Sequence, residues 1–152
     1  MTVKDIMTDP AIVISEGASV YEAAKLMRAH NIGSVPVVDR DSTLVGIVTD
    51  RDIVIRNMAR GLDPAHHSVE EIMTTDVSCV TPETEIDDAA MVMANDKVRR
   101  LPVVEDERVV GFVALGDISA CKDYTFETGQ ALSEISEGCH KKHPTHSRDH
   151  NA

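Results

Sequence analysis

Residues 32–53 read IGSVPVVDRDSTLVGIVTDRDI, and residues 98–118 read VRRLPVVEDERVVGFVALGDI. Each stretch holds two runs rich in β-branched residues, separated by a short polar segment. This pattern predicts a β-hairpin with strands Ser34–Val38 and Leu44–Thr49 in the first stretch. The second stretch predicts strands Leu101–Val104 and Val109–Val113.

The similarity extends well beyond these two stretches. A shift of 66 residues aligns 3–40 with 69–106, and a shift of 65 continues the match after the hairpin turn. Identical pairs include Met7/Met73, Thr8/Thr74, Pro36/Pro102, Gly46/Gly111 and Asp52/Asp117. The chain therefore contains two copies of one unit, and such internal repetition is characteristic of units that pack together.

Each copy predicts the element order β-α-β-β-α. Before the hairpin comes an apolar run, 11–14 or 77–80, and then a segment with apolar residues at helical spacing. After it, helices are expected over about 50–60 and 115–122. One copy is too small to bury its own sheet, so the two sheets should pack face to face. Six strand residues are expected to be buried: Val37, Val38, Ile47, Val103, Val104 and Val113.

Composition narrows the classes of function. The formal net charge is -11 and aromatic residues make up only 3%. An acidic chain with few aromatic rings is unsuited to binding nucleic acid or an anionic membrane surface. No apolar N-terminal segment and no run of 18 apolar residues is present, so a cytoplasmic protein without membrane contact is expected. Three cysteines without CxxC spacing do not form a disulfide pattern.

The repeated unit resembles the CBS domain, named for cystathionine β-synthase, and the tandem resembles a Bateman module. The residues that carry the resemblance are VKDIMT and VEEIMT, IGSVPVVD and VRRLPVVE, and LVGIVTDRDI and VVGFVALGDI. It implies an α+β fold in which two units pack sheet to sheet about a pseudo-two-fold axis. We assign residues 1–60 to the first unit, 61–68 to a linker, 69–122 to the second unit and 123–152 to a tail. The whole chain also resembles small bacterial proteins made of little more than a CBS pair.

The resemblance implies two clefts between the units, each able to bind an adenosine-type ligand. In the first, an aspartate would accept hydrogen bonds from the ribose, a hydroxyl would contact phosphate, and opposing residues would surround the base and phosphate. A carboxylate suits a diol, and guanidinium groups suit phosphate oxygens. The residues in this first cleft would be Thr49, Arg51, Asp52, Val98, Arg99 and Arg100.

The second cleft departs from the family pattern. Ala114 stands where the hydroxyl residue is expected, and Gly33 and Ser34 replace the two arginines. Phosphate should therefore bind more weakly here, although Asp117 could still contact a ribose. The residues in this second cleft would be Ile32, Gly33, Ser34, Ala114 and Asp117.

The tail offers a separate hypothesis. Ala131, Leu132 and Ile135 lie at helical spacing and predict a short docking helix, followed by a disordered His-rich end. Cys139, His140, His143 and His146 could bind a soft divalent metal, although a polar tail without a ligand is the alternative. Cys79 is expected to be a small buried residue.

The sequence leaves three functions open. The first is a regulatory homodimer that binds AMP, ADP, ATP, S-adenosylmethionine or NAD and signals by changing shape, with no required cofactor. The second is a ligand-free scaffold for an unidentified protein partner, and the third is a metal- or redox-responsive protein acting through the tail. The sequence contains no Ser-His-Asp or Cys-His pattern and no phosphate-binding loop motif, and His30, His66 and His67 have no evident partners. An enzyme is therefore not expected.

Overall fold

A computed structural model describes residues 1–121 and 132–135. In the first half, three strands form a sheet in chain order, with the first parallel to the second and the third antiparallel to the second. The elements are β1 (Ile14–Ser15), α1 (Val20–His30), β2 (Ser34–Val38), β3 (Leu44–Thr49) and α2 (Asp50–Asp52). The chain after α2 stays helical, as a π-helix over Ile53–Asn57 and a 3-10 helix over Met58–Arg60.

The second half repeats this arrangement with a smaller sheet. Its two strands form an antiparallel pair. The elements are α3 (Ile86–Asp96), β4 (Arg100–Glu105), β5 (Arg108–Ala114) and α4 (Leu115–Ser119). Short 3-10 helices lie at Val3–Asp5, Pro64–His66 and Val69–Glu71.

Local sequence explains where α1 begins and ends. Ser19 accepts a hydrogen bond from the backbone N–H of Glu22, and the Glu22 carboxylate accepts one from the Ser19 N–H. This capping box satisfies N–H groups that have no partner within the helix. The helix ends at Asn31, which adopts the left-handed conformation that asparagine tolerates.

The opening segments of the two units are exchanged, a feature that the sequence did not reveal. Val3 belongs to the hydrophobic cluster of the second half, with Ile86, Met93 and Leu101. Val69 and Ile72 belong to the cluster of the first half. Each opening segment therefore completes the core of the other unit.

Two equivalent glycines make this exchange possible. A Cβ atom at Gly46 would lie 2.6 Å from the sulfur of Met73 and 2.9 Å from the carbonyl oxygen of Thr74. A Cβ atom at Gly111 would lie 2.7 Å from the sulfur of Met7. At both places the exchanged segment crosses directly over the strand, and a side chain there would obstruct it. Backbone hydrogen bonds from Thr74 to Ile47 and from Thr8 to Phe112, each 2.8 Å long, hold the crossing.

The hairpins and the helices α1 and α3 agree with the sequence prediction, but several details do not. Of the apolar run 11–14, only Ile14 lies in a strand, and the final helix of the second unit ends at Ser119 rather than near 122. The apolar run 77–80 is not a strand: only Val80 makes an isolated bridge, to Val103. Cys79 is consequently exposed and not buried. Ile47 and Val104 are only partly buried, whereas Val37, Val38, Val103 and Val113 are in the core.

Candidate functional site

Two unequal clefts lie where the units meet. Cleft 1 has a volume of about 1030 Å³, and cleft 2 has a volume of about 220 Å³. Ligand pockets commonly occupy roughly 300–1,000 Å³, so cleft 1 has room for a nucleotide and cleft 2 is tight. The main residues lining cleft 1 are Ile47, Thr49, Asp50, Arg51, Thr74, Asp76, Val77, Val98, Arg99, Arg100 and Pro102.

Three guanidinium groups in cleft 1 have no protein partner within the described residues. Arg51 comes from the first unit, and Arg99 and Arg100 come from the second. Across 1–121 and 132–135, none of the three side chains makes a hydrogen bond or a salt bridge. With Lys97 they outnumber the three carboxylates of the described lining, Asp50, Asp76 and Asp96, by one, so this cleft is slightly positive in a chain with a net charge of -11.

Thr49 and Asp52 form the start of α2. The Thr49 hydroxyl accepts a hydrogen bond from the Asp52 N–H, and the Asp52 carboxylate accepts one from the Thr49 N–H, both 3.0 Å long. The second carboxylate oxygen of Asp52 lies 3.7 Å from Nε of Arg56. Asp52 is only 8% exposed and is not among the residues lining cleft 1, whereas Asp50 is.

Cleft 2 is the pseudo-symmetric counterpart. Thr8, Ala11, Ile12, Ile32, Ser34, Pro36, Arg100, Phe112, Ala114 and Asp117 line it. Unlike Asp52, Asp117 lines its cleft, and Gly116 stands at the position equivalent to Arg51. Asp117 accepts one hydrogen bond, from the Ala114 N–H at 2.9 Å. Gly33, expected in this cleft, lines cleft 1 instead.

The comparisons with known proteins agree with this architecture. The family model for the CBS domain matches residues 3–57 and 69–121. The chain belongs to the CBS domain family. It is a tandem CBS pair, a regulatory type of module.

Three relatives illustrate the range of this family. A CBS domain-containing protein of Bacillus subtilis, YhcV, is 40% identical over 135 residues, which are 89% of this chain and 95% of that protein. The crystal structure of Hypoxic Response Protein I with two coordinated zinc ions has a TM-score of 0.74 and 37% identity, covering 79% of this chain and 98% of that one. The CBS domain pair of protein MJ0100, in complex with 5'-methylthioadenosine and S-adenosyl-L-methionine, has a TM-score of 0.70 and 38% identity, covering 79% and 94%.

Several residues of the CBS pair's cleft 1 were not singled out from the sequence. Asp96 accepts a hydrogen bond from Ser78, and Lys97 donates one to the backbone carbonyl of Glu134. Through this contact the helical segment 132–135 lies at the cleft, and Ile135 contributes to its lining. Asp96 is the last residue of α3, and Lys97 follows it. Both directly precede the Val98–Arg100 motif, and this proximity in the sequence could have indicated that they line the same cleft.

Two histidines of the linker between the CBS units pair with carboxylates, one in the linker and one at the start of the second unit. His66 Nδ1 lies 2.7 Å from Asp63, and His67 Nδ1 lies 3.1 Å from Glu71, so both histidines have partners that the sequence did not reveal. The pKa of Asp63 is lowered, chiefly by the Ala65 N–H and then by His66. The pKa of Glu71 is lowered by its hydrogen bond with His67 and then by the Ser68 N–H. Neither pair lines cleft 1 or cleft 2, so we attribute to them a structural role in the linker.

The proposed metal ligands Cys139, His140, His143 and His146 lie outside the described residues. Within the described ranges, no group of three or more His, Cys, Asp or Glu residues is arranged to hold a metal ion. Within those same ranges, no helix has the length and apolar character needed to cross a membrane.

Proposed function

We propose that this CBS pair is a regulatory protein that binds a phosphorylated adenosine-type ligand in cleft 1. The observation that carries the proposal is the set of three unpaired guanidinium groups of Arg51, Arg99 and Arg100. Isolated cations on a protein surface are common. Three without partners among the described residues, contributed by both units to one cleft of sufficient volume, favour an anionic ligand.

The remaining walls of cleft 1 suit the rest of such a ligand. Ile47, Val77, Val98 and Pro102 offer apolar surface to a purine ring. Asp50 and Asp76 offer carboxylates to ribose hydroxyls or to a cationic group. AMP, ADP, ATP and NAD satisfy the guanidinium groups, while S-adenosylmethionine satisfies the acidic ones. The complex of the MJ0100 pair with two adenosine derivatives supports this general class of ligand.

The mode of signalling follows from the position of cleft 1. A ligand there would contact both units and would stabilise one relative arrangement of them. Binding therefore favours that arrangement by as much as the ligand's affinity for it exceeds its affinity for others. We further propose that the protein acts as a homodimer and reports this change to a partner protein.

A ligand-independent interaction scaffold is the second candidate. Its support is the exposed apolar surface of the helical region after β3, where Val54 and Ile55 are each 49% exposed and Met58 is 65% exposed. A scaffold would use this surface whether or not cleft 1 is filled. The two candidates therefore differ in their response to small molecules.

Thermal denaturation against AMP, ADP, ATP, S-adenosylmethionine, NAD and zinc separates the candidates, because a ligand that binds only the folded protein raises its melting temperature. We expect a phosphorylated adenosine compound to give a rise. Calorimetry should then show that Arg99→Gln weakens AMP binding by about tenfold or more while affecting adenosine little, since hydrogen bonds to charged groups are the strong ones.

Arg40→Gln is the matched control for that experiment. Arg40 is exposed in the turn between β2 and β3 and lines neither cleft. Its substitution should leave both affinities unchanged. A wild-type protein that responds to none of the adenosine compounds would contradict ligand sensing and support the scaffold.

A further inference from the structure

Two residues form a wall shared by both clefts. Ser34 and Arg100 line cleft 1 and also line cleft 2. They are equivalent positions of the repeat, 66 residues apart, and each begins the first strand of its hairpin. Ser34 pairs with Thr49, and Arg100 pairs with Ala114. Positions 34 and 100 are therefore related by the repeat and lie between the two clefts.

The two sides of this wall differ in charge. Arg100 brings a guanidinium group to the axis, whereas Ser34 brings only a hydroxyl. Among the residues of 1–121 and 132–135 that line cleft 2, Arg100 is the sole arginine, and no lysine is present. Cleft 1 has three further cations, namely Arg51, Lys97 and Arg99. The positive charge available to cleft 2 is thus a group that cleft 1 also uses.

We propose that Arg100 couples the two clefts, so that an anionic ligand in cleft 1 weakens anion binding in cleft 2. The inference rests on the function proposed above. Arg100 has no partner within the described ranges, so its long side chain is free to turn toward either cleft. One guanidinium group cannot make its full set of hydrogen bonds to phosphates on both sides at once. Once cleft 1 holds a phosphate, cleft 2 lacks a cation and accepts an uncharged ligand in preference.

The consequence is that the preference of cleft 2 for uncharged over phosphorylated ligands depends on whether cleft 1 is occupied. A nucleoside without phosphate forms no contact that requires Arg100, so its binding in cleft 2 has to overcome only the small volume of about 220 Å³ and not this electrostatic penalty. A nucleotide should fill cleft 1 and then bind cleft 2 much less tightly. The protein would respond to the ratio of phosphorylated to unphosphorylated ligand, and not only to total concentration.

Calorimetric titration with AMP and with adenosine measures this coupling. For each probe, the dissociation constant of the second event is divided by that of the first. We expect the ratio for AMP to exceed the ratio for adenosine by about tenfold or more, because a charge-assisted contact is lost in the second event. Filling cleft 2 with Ala114→Phe should abolish the second event and so assign it to that cleft.

The decisive variant is Ser34→Arg, which places a second guanidinium group at the equivalent position. It should strengthen the second AMP event by about tenfold, or restore that event if the wild type shows only one, while Ser34→Gln should not. Arg100→Gln should make the AMP and adenosine ratios equal, which provides an independent test should Ser34→Arg fold poorly. Equal ratios in the wild type, or an equal effect of Ser34→Arg and Ser34→Gln, would overturn the coupling. Failure of AMP to bind at all would instead overturn the proposed function.

Discussion

At the residue scale, Asp52 and Asp117 show how one repeated carboxylate can have two environments. Both accept a hydrogen bond from the backbone N–H three residues earlier. The Asp52 N–H also donates a reciprocal bond to the Thr49 hydroxyl, and the Asp52 carboxylate lies near Arg56, which in turn donates to the carbonyls of the 72–73 segment. Asp52 thus holds α2 and, through Arg56, the exchanged segment of the other unit. Asp117 lacks the reciprocal bond because Ala114 has no hydroxyl.

Asp52→Ala should therefore lower the free energy of unfolding by about 1 kcal/mol, since it removes the capping-box hydrogen bond from the Thr49 N–H and one hydrogen bond typically contributes about this much. Asp117→Ala is the matched control and should cost less, because each variant loses one carboxylate hydrogen bond but only Asp52 also lies beside a cation, Arg56, among the described residues. Urea denaturation of both variants measures the difference. If Asp52→Ala kept full stability but lost AMP binding in calorimetry, the carboxylate would have the ribose-binding role that the family resemblance implies, and the structural role would be refuted.

At the element scale, the exchange of opening segments depends on two close crossings of backbone over strand. Gly46 and Gly111 occupy equivalent places in β3 and β5, and both are buried beneath the exchanged segment. The obstruction at Gly46 includes the carbonyl oxygen of Thr74, which cannot move without breaking its segment's hydrogen bonds to Ile47. The crossing therefore tolerates no side chain, and each unit needs the other's opening segment to complete its core.

Gly46→Ala should destabilise the protein by about 1–3 kcal/mol, the usual cost of forcing an extra methyl group into a packed interior. Gly116→Ala is its control, since a Cβ atom there meets nothing within 4 Å and alanine favours the helix of α4. That variant should be neutral or stabilising by up to about 1 kcal/mol. Thermal unfolding compares the two, and equal losses of stability would show that the crossing is looser than the structure indicates.

At the scale of the whole molecule, the exposed apolar side chains of the two units lie mainly on helices and not on the sheets. Val54, Ile55 and Met58 belong to the helical region after β3, Tyr21 to α1 and Met91 to α3. Apolar groups left exposed in this way gain free energy when a second surface covers them. The proposed homodimer would cover the first three.

Light scattering at micromolar concentration should show a dimer for the wild type and a monomer for Met58→Glu, because the substitution would place two carboxylates within an apolar interface. Arg40→Glu changes charge in an exposed turn and should leave the dimer intact. A wild type that is monomeric at these concentrations, or a Met58→Glu variant that remains dimeric, would exclude this surface as the interface.

The sequence by itself determined the repeat, the two hairpins, the helices α1 and α3, and the chemical inequality of the clefts. These features depend on local patterns: alternating or β-branched runs, apolar residues at helical spacing, and the substitution of one residue type for another at equivalent positions. The contrast of Thr49, Arg99 and Arg100 with Ala114, Gly33 and Ser34 needs no coordinates to be recognised. Local order of this kind is encoded within a few residues, so it can be read along the chain.

Only the tertiary structure decided which unit each opening segment completes, because Val3 and Val69 are equally apolar and could pack on either core. It also decided that Cys79 is exposed, since the run before Val80 finds no neighbouring strand with which to pair. It left Asp52 buried and outside the lining of cleft 1, and it placed Gly33 in cleft 1 and Arg100 in the lining of both clefts. Each of these outcomes depends on contacts between residues far apart in sequence, and those contacts exist only after the two units have packed.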